Sequence, residues 1–101
     1  MDPNYVEAYN NRGAAKNELG LFDEAIEDLN AAIEIDPEFA NCYSNLALAM
    51  NKQGKFDKAI EEASQAIELD PSLLQAYFIR ATAFTNFDQK EQALEDFNKV
   101  T

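Results

Sequence analysis

Histidine and tryptophan are absent from the 101 residues, cysteine occurs once, and glycine and proline three times each. Without histidine there is no imidazole base and no His-based metal cluster, and a lone thiol, Cys42, cannot close an internal disulfide. Ser-His catalysis falls with that absence, so neither an enzyme nor a metal or cofactor site is expected. Cys42 lies on a predicted helix among apolar neighbours, an environment for burial rather than reactivity. Cations are scarce too: 8 Lys plus Arg face 19 Asp plus Glu, a formal net charge of −11. Such a field repels phosphate, which argues against nucleic acid and anionic membranes and favours neutral or basic partners. Also missing are an apolar run of about 18 residues, as a membrane span requires, and a basic-then-apolar leader. The expectation is a soluble, cytoplasmic protein in a reducing compartment.

The chain does contain an internal repeat. Gly20 to Pro37 reads GLFDEAIEDLNAAIEIDP and returns from Gly54 to Pro71 as GKFDKAIEEASQAIELDP, with a worn copy from Asp88 onward. Pro3, Pro37 and Pro71 stand two equal steps of 34 residues apart. Laying Val6 to Phe39 on Ala40 to Leu73 leaves about fifteen identities, so one supersecondary unit is being copied. Within each unit the apolar spacing is helical. Asn4 to about Leu19 predicts one helix, with a break at Gly20, where glycine accepts the positive φ of a helix C-terminus. A second helix starts near Phe22, with Asp23 and Glu24 at its positive end, and stops before Pro37. Its inward stripe is Phe22, Ala25, Ile26, Leu29, Ala32 and Ile33. The next unit predicts helices from about Phe39 to Gln53 and Phe56 to Leu69. The alanines at 25, 32, 59, 66 and 93 let helix backbones approach closely. Carboxylate neighbours Glu27/Asp28, Glu61/Glu62 and Glu95/Asp96 recur at one repeat position and read as a solvated acidic face. A calcium loop has no matching acidic spacing, and no glycine-rich phosphate loop is found.

These residues resemble the tetratricopeptide repeat. An aromatic opens each first helix (Tyr9, Tyr43, Tyr77) and a small residue stands four on (Gly13, Ala47, Ala81). Then come the glycine turn, Phe22 or Phe56, the alanine pair and the closing Asp-Pro. The resemblance covers the whole chain and implies an all-α, right-handed solenoid of three stacked helix-turn-helix units, six helices in all. One domain over 1–101 is expected, with units at about 6–39, 40–73 and 74–101. Met1 before Asp2-Pro3 reads as a start placed at a repeat boundary, as in a piece of a longer array. The resemblance further implies a non-enzymatic module whose first helices line a concave peptide groove. Carried over, the groove positions are Glu7, Asn10, Asn11, Ala14 and Asn17, then Asn41, Ser44, Asn45, Leu48, Asn51 and Lys52, then Gln75, Phe78, Ile79, Thr82 and Thr85. Asn45, with Asn10 or Asn11, forms a ladder of amides able to bond an extended peptide, or these asparagines solvate an empty groove or satisfy neighbouring helices. Leu48, Phe78 and Ile79 are apolar anchors. One branch of the family clamps a partner's C-terminal carboxylate with two asparagines and basic residues. Of its positions Asn45 alone matches, the others being Asn10, Ala14, Gln75 and Ile79, so the cations of an acidic-tail clamp are missing.

The third unit departs from the pattern: Asp88 replaces the turn glycine, Lys90 the aromatic and Val100 the small residue. Either it is an end unit or it has drifted. Phe84, Phe87, Leu94, Phe97 and Val100 crowd its hairpin, and any that stay exposed and contiguous form a self-association patch. A homo-oligomer through that hairpin, or one that exchanges helices, is the alternative to peptide binding.

Overall fold

The computed structural model describes residues 4–101. Pro3, and with it the repeat boundary read at Met1 to Pro3, lies outside them. Among the described residues there are six α-helices and no strand: α1 Asn4–Glu18, α2 Phe22–Ile35, α3 Ala40–Lys52, α4 Phe56–Leu69, α5 Leu74–Asn86 and α6 Lys90–Val100. None is long and apolar enough to cross a membrane.

The three hairpin turns are built the same way. After α1, Gly20 takes φ +79°, its amide donates to the Asn17 carbonyl at 3.1 Å, and the Leu21 amide reaches back to the Lys16 carbonyl at 2.8 Å. This double bond satisfies helix-end carbonyls, and it needs a left-handed residue at its centre. Gly54 repeats the arrangement at φ +79°, with Lys55 donating to Met50 at 2.9 Å. Asp88, at φ 61°, does so after α5, with Gln89 donating to Phe84 at 2.8 Å. Between units the closing Asp-Pro makes a different stop. The Asp36 carboxylate accepts the Glu38 amide and Asp70 accepts the Ser72 amide, each two residues on, which turns the chain without a glycine.

The helices of each hairpin pack on one another, and each second helix packs on the first helix of the next unit, α2 on α3 and α4 on α5. First helices also touch in order, α1 with α3 and α3 with α5, whereas second helices make no mutual contact. One side of the stack is therefore drawn together and the other splayed, so α1, α3 and α5 form the inner wall.

Close approach explains the core. Among the described residues, eleven of the sixteen buried apolar ones are alanine, and Ala25, Ala32, Ala47, Ala59, Ala63, Ala66, Ala76 and Ala81 are fully buried. The predicted stripe on α2 divides accordingly: Ala25, Leu29 and Ala32 are buried, while Phe22, Ile26 and Ile33 are half-buried at its rim. Gly13 marks the tightest crossing, where an added Cβ would lie 2.8 Å from Leu29 Cγ and Cδ2. The next unit instead sets Ala47 with Ala63, so volume removed from one helix is returned on the other.

Nothing lies within 4 Å of a Cβ built on Gly20 or Gly54, so substitution there costs backbone strain alone. Asp88→Gly is expected to stabilise the fold by about 0.5–1 kcal/mol, and Gly54→Ala to destabilise it by about 1–2 kcal/mol. Urea denaturation of the two variants checks both signs.

Candidate functional site

The inner wall holds two neighbouring hollows that share Leu48 and Lys52. One, of about 380 Å³, lies between α3 and α5 and is lined by Leu48, Asn51, Lys52, Gln75, Phe78, Ile79, Thr82 and Asn86. The other, of about 420 Å³, lies beside the first hairpin turn, lined by Asn17, Glu18, Gly20, Phe22, Leu48 and Lys52. Leu48 and Lys52 belong to both, so the groove runs from α1 across α3 to α5. The predicted residues at 17, 48, 51, 52, 75, 78, 79 and 82 are thereby brought together. Asn11 and Asn41 are exposed and line neither hollow.

The amides do something the spacing did not disclose. Asn45 Nδ2 donates to Asn10 Oδ1 at 2.8 Å, and Gln75 Nε2 donates to Asn45 Oδ1 at 3.4 Å. Asn17 Nδ2 donates to the Asn45 backbone carbonyl at 3.0 Å. The ladder is thus a seam that ties α1, α3 and α5 together, the alternative in which these amides satisfy neighbouring helices. Asn10 and Asn17 are only 8% exposed. Ile79 sits at 4% against Ala47 and Ala63, a floor rather than a projecting anchor. Asn45 keeps one N–H and one lone pair beyond these bonds.

Two acceptors in the groove have no partner among the described residues. The buried carbonyl oxygens Asn17 Oδ1 and Asn51 Oδ1 accept no hydrogen bond from them, one beside each hollow. They stand 34 residues apart, at one repeat position. A desolvated carbonyl lacking a donor is costly and calls for an explanation. Phe78 is 55% exposed and meets Phe97 of α6 edge-on, with ring centroids 5.9 Å apart. Neither α3 nor α5 carries an acidic residue, and Lys52 is the one charged residue of the first hollow. The acids are concentrated on the second helices, so the wall is far less negative than the protein. Asn86, which also lines the groove, went unpredicted although it falls one turn beyond Thr82 on the same helix face.

Two family models match the sequence, one described as TPR repeat over residues 15–54 and one as Tetratricopeptide repeat over residues 40–73. The second TPR of Spaghetti (RPAP3), solved with the HSP90 peptide SRMEEVD, is similar over 97% of this chain and 91% of that one, with 31% identity and a TM-score of 0.92. The chain belongs to the tetratricopeptide repeat family. The second TPR domain of human RPAP3, in complex with the HSP70 peptide SGPTIEEVD, has 31% identity and a TM-score of 0.90 over 98% of this chain and 83% of that one. MamA has 29% identity and a TM-score of 0.85 over 98% of this chain, which spans 58% of MamA. A search of curated protein sequences finds no match. The tetratricopeptide repeat fold is one of protein interaction.

On the second helices, the reading of the carboxylate pairs as a solvated face holds for Glu27, Glu61 and Glu95, which are exposed, and fails for Asp28 and Asp96, which are buried. Asp28 is 5% exposed and accepts two 2.7 Å bonds from the Arg12 guanidinium, with Lys16 Nζ at 3.0 Å. Asp96, equally buried, accepts Arg80 at 2.7 and 2.8 Å. Arg80 lies off the inner wall, its Nη1 donating to Ser64 Oγ of α4 at 3.0 Å. Arginine hydrogen-bonded to Asp28 holds that carboxyl below its usual range despite burial. In the middle tetratricopeptide repeat the arginine position is Leu46, and Glu62 is left half-buried without a guanidinium. Burial first, then the neighbouring charge of Glu61, raises its pKa. Cys42 is fully buried, as expected, and burial with the nearby Asp36 pushes its thiol up to about 11.

The two shifts act oppositely on stability. Asp28, depressed in the fold, contributes stability that is present at neutral pH and lost as pH falls through its lowered value. Glu62, raised in the fold, withdraws stability as pH rises above the ordinary glutamate value of 4.5. Glu62→Gln is therefore expected to raise the melting temperature at neutral pH and to leave it nearly unchanged in acid, as thermal melts across that range check. Cys42 is expected to resist thiol reagents at neutral pH in the native state and to react on addition of denaturant, followed by absorbance of the released thiolate.

Proposed function

We propose that this tetratricopeptide repeat chain is a non-enzymatic binding module that holds an extended, neutral segment of a partner protein along α1, α3 and α5. The observation carrying this reading is the pair of unpartnered acceptors, Asn17 Oδ1 and Asn51 Oδ1, beside the two neighbouring hollows. Backbone N–H groups of a peptide are their natural donors. Adjacent packed helices lie about 8–10 Å apart, the span of about three extended residues at roughly 3.3 Å each. One bulky apolar side chain of the ligand would seat on Phe78 and Leu48, over Ile79. The net charge of −11 attracts basic chains at long range, while the groove itself selects for neutral, apolar sequence.

The Spaghetti (RPAP3) domains hold the acidic peptides SRMEEVD and SGPTIEEVD. Here Asn10, Ala14, Gln75 and Ile79 stand at the clamp positions other than Asn45, so we assign the groove to a different class of peptide. A second reading, self-association through the C-terminal hairpin, is favoured by the exposure of Phe87 and Leu94, 47% and 62%.

Against a partner segment selected from an array of uncharged peptides, Asn51→Ala and Phe78→Ala are each expected to weaken binding by about 1–2 kcal/mol, roughly 5- to 30-fold. Asn51→Ala removes an unpartnered acceptor, so the fold should lose no stability by it. SRMEEVD should show no saturable binding by calorimetry. Unchanged affinity in both variants would remove the groove as the site.

A further inference from the structure

The first and last of the described helices carry the two halves of the interface that joins one repeat to the next. At each internal junction a second helix packs on the next first helix, α2 on α3 and α4 on α5. Ala32 of α2 clusters with Cys42 of α3, and Ser64 Oγ of α4 accepts Arg80 Nη1 of α5 at 3.0 Å. Moved by the 34-residue step, the face of α3 and α5 becomes Tyr5, Ala8, Tyr9 and Arg12 on α1, which border a hollow of about 280 Å³. Cys42 and Ala76 are fully buried at the position where Ala8 is exposed. The Arg80 side chain is 22% exposed, while Arg12, holding its aspartate in the same way, is 60% exposed. Nothing among the described residues covers this face of α1.

The complementary face lies on α6. Leu94 is 62% exposed where Ile26 and Ile60 are half-buried. Val100 stands in place of Ala32 and Ala66, and Asn98 in place of Ser64. The pairings generated by repeating the junction once more are chemically sound. Val100, larger than the alanine it replaces, meets Ala8, smaller than the cysteine it replaces, and the Asn98 side-chain oxygen meets the free N–H groups of Arg12.

From this continuity we propose that the occupant of the α1 face is α6 of a second copy, so that copies join head to tail as successive repeats do. The proposal rests on the self-association reading and supplies the mating surface which that reading lacks. Such an interface is heterologous, joining two different patches, and it propagates unless the rotation between copies closes a ring. The charge of −11 on each copy opposes it, so added salt strengthens association by screening.

Sedimentation velocity over a concentration series tests this with two variants at exposed positions, Ala8→Arg on α1 and Leu94→Lys on α6, both checked for helicity by circular dichroism. The expected result is a wild-type mass that grows with concentration and with salt, an association at least ten-fold weaker in each variant alone, and a 1:1 pair when the two are mixed. That last species forms because one variant keeps its α6 face and the other its α1 face. If Leu94→Lys abolishes association and Ala8→Arg leaves it intact, α6 pairs with α6, which overturns the head-to-tail arrangement and keeps the self-association reading. A wild type that remains monomeric at every concentration overturns both, as does association that neither variant weakens.

Discussion

Everything in this molecule depends on how closely two helix backbones can approach when alanine lies between them. A core of eleven alanines buries little apolar area per residue, so an isolated hairpin would have almost nothing to hold it. The deficit is met by number of contacts rather than size of side chain. The second helices α2 and α4 are each packed on both their own first helix and the next one, and dispersion summed over tight crossings replaces the large aliphatic cluster of an ordinary domain. The same economy sends the bulky residues outward: Phe22, Phe39 and Phe56 fill rims at half burial, and Phe78 projects from the inner wall.

Curvature follows from that packing, and the groove follows from curvature. First helices touch along the stack and second helices do not, so polar groups on α1, α3 and α5 are crowded together while the acids on α2, α4 and α6 are spread apart. Crowding turns three carboxamides into a seam, with Asn45 shared between Asn10 and Gln75. It also desolvates Asn17 Oδ1 and Asn51 Oδ1 without giving them donors. A seam whose donors and acceptors are paired sets the spacing of the helices, and the acceptors left over on Asn17 and Asn51 are the ones the proposed peptide would use.

Much of the fold was legible in the sequence because a copied unit repeats its local chemistry. Gly20 and Gly54 marked two hairpin turns, and the third is taken by Asp88 in their place, at φ 61°. The expected helix limits fall within one residue of those observed at Asn4, Phe22, Phe56 and Leu69. The site was legible as a set of positions on the first helices and not as a set of interactions. Whether Asn45 faces a ligand or a neighbouring amide depends on the separation of α1, α3 and α5, which is a property of packing. Asp28 and Asp96 were misread for a related reason. Adjacent residues on a helix point about 100° apart, so one of each pair must turn toward its own hairpin, and in the outer units an arginine sixteen residues upstream receives it.

That arginine shows how repetition can be broken without loss of the fold. Arg12 and Arg80 neutralise buried aspartates, whereas the middle unit has Leu46 at 3% exposure and a longer acid, Glu62, half-buried. Replacing a buried ion pair by an apolar contact is often neutral for stability, provided that no charge is stranded. The extra methylene of Glu62 carries its carboxylate nearer to water, so the charge is displaced rather than abandoned, at the cost of the raised pKa. The middle unit, flanked on both sides, can take its stability from apolar contact. Each outer unit is flanked on one side alone among the described residues, and its Arg–Asp pair adds a polar fastening between the two helices of its hairpin.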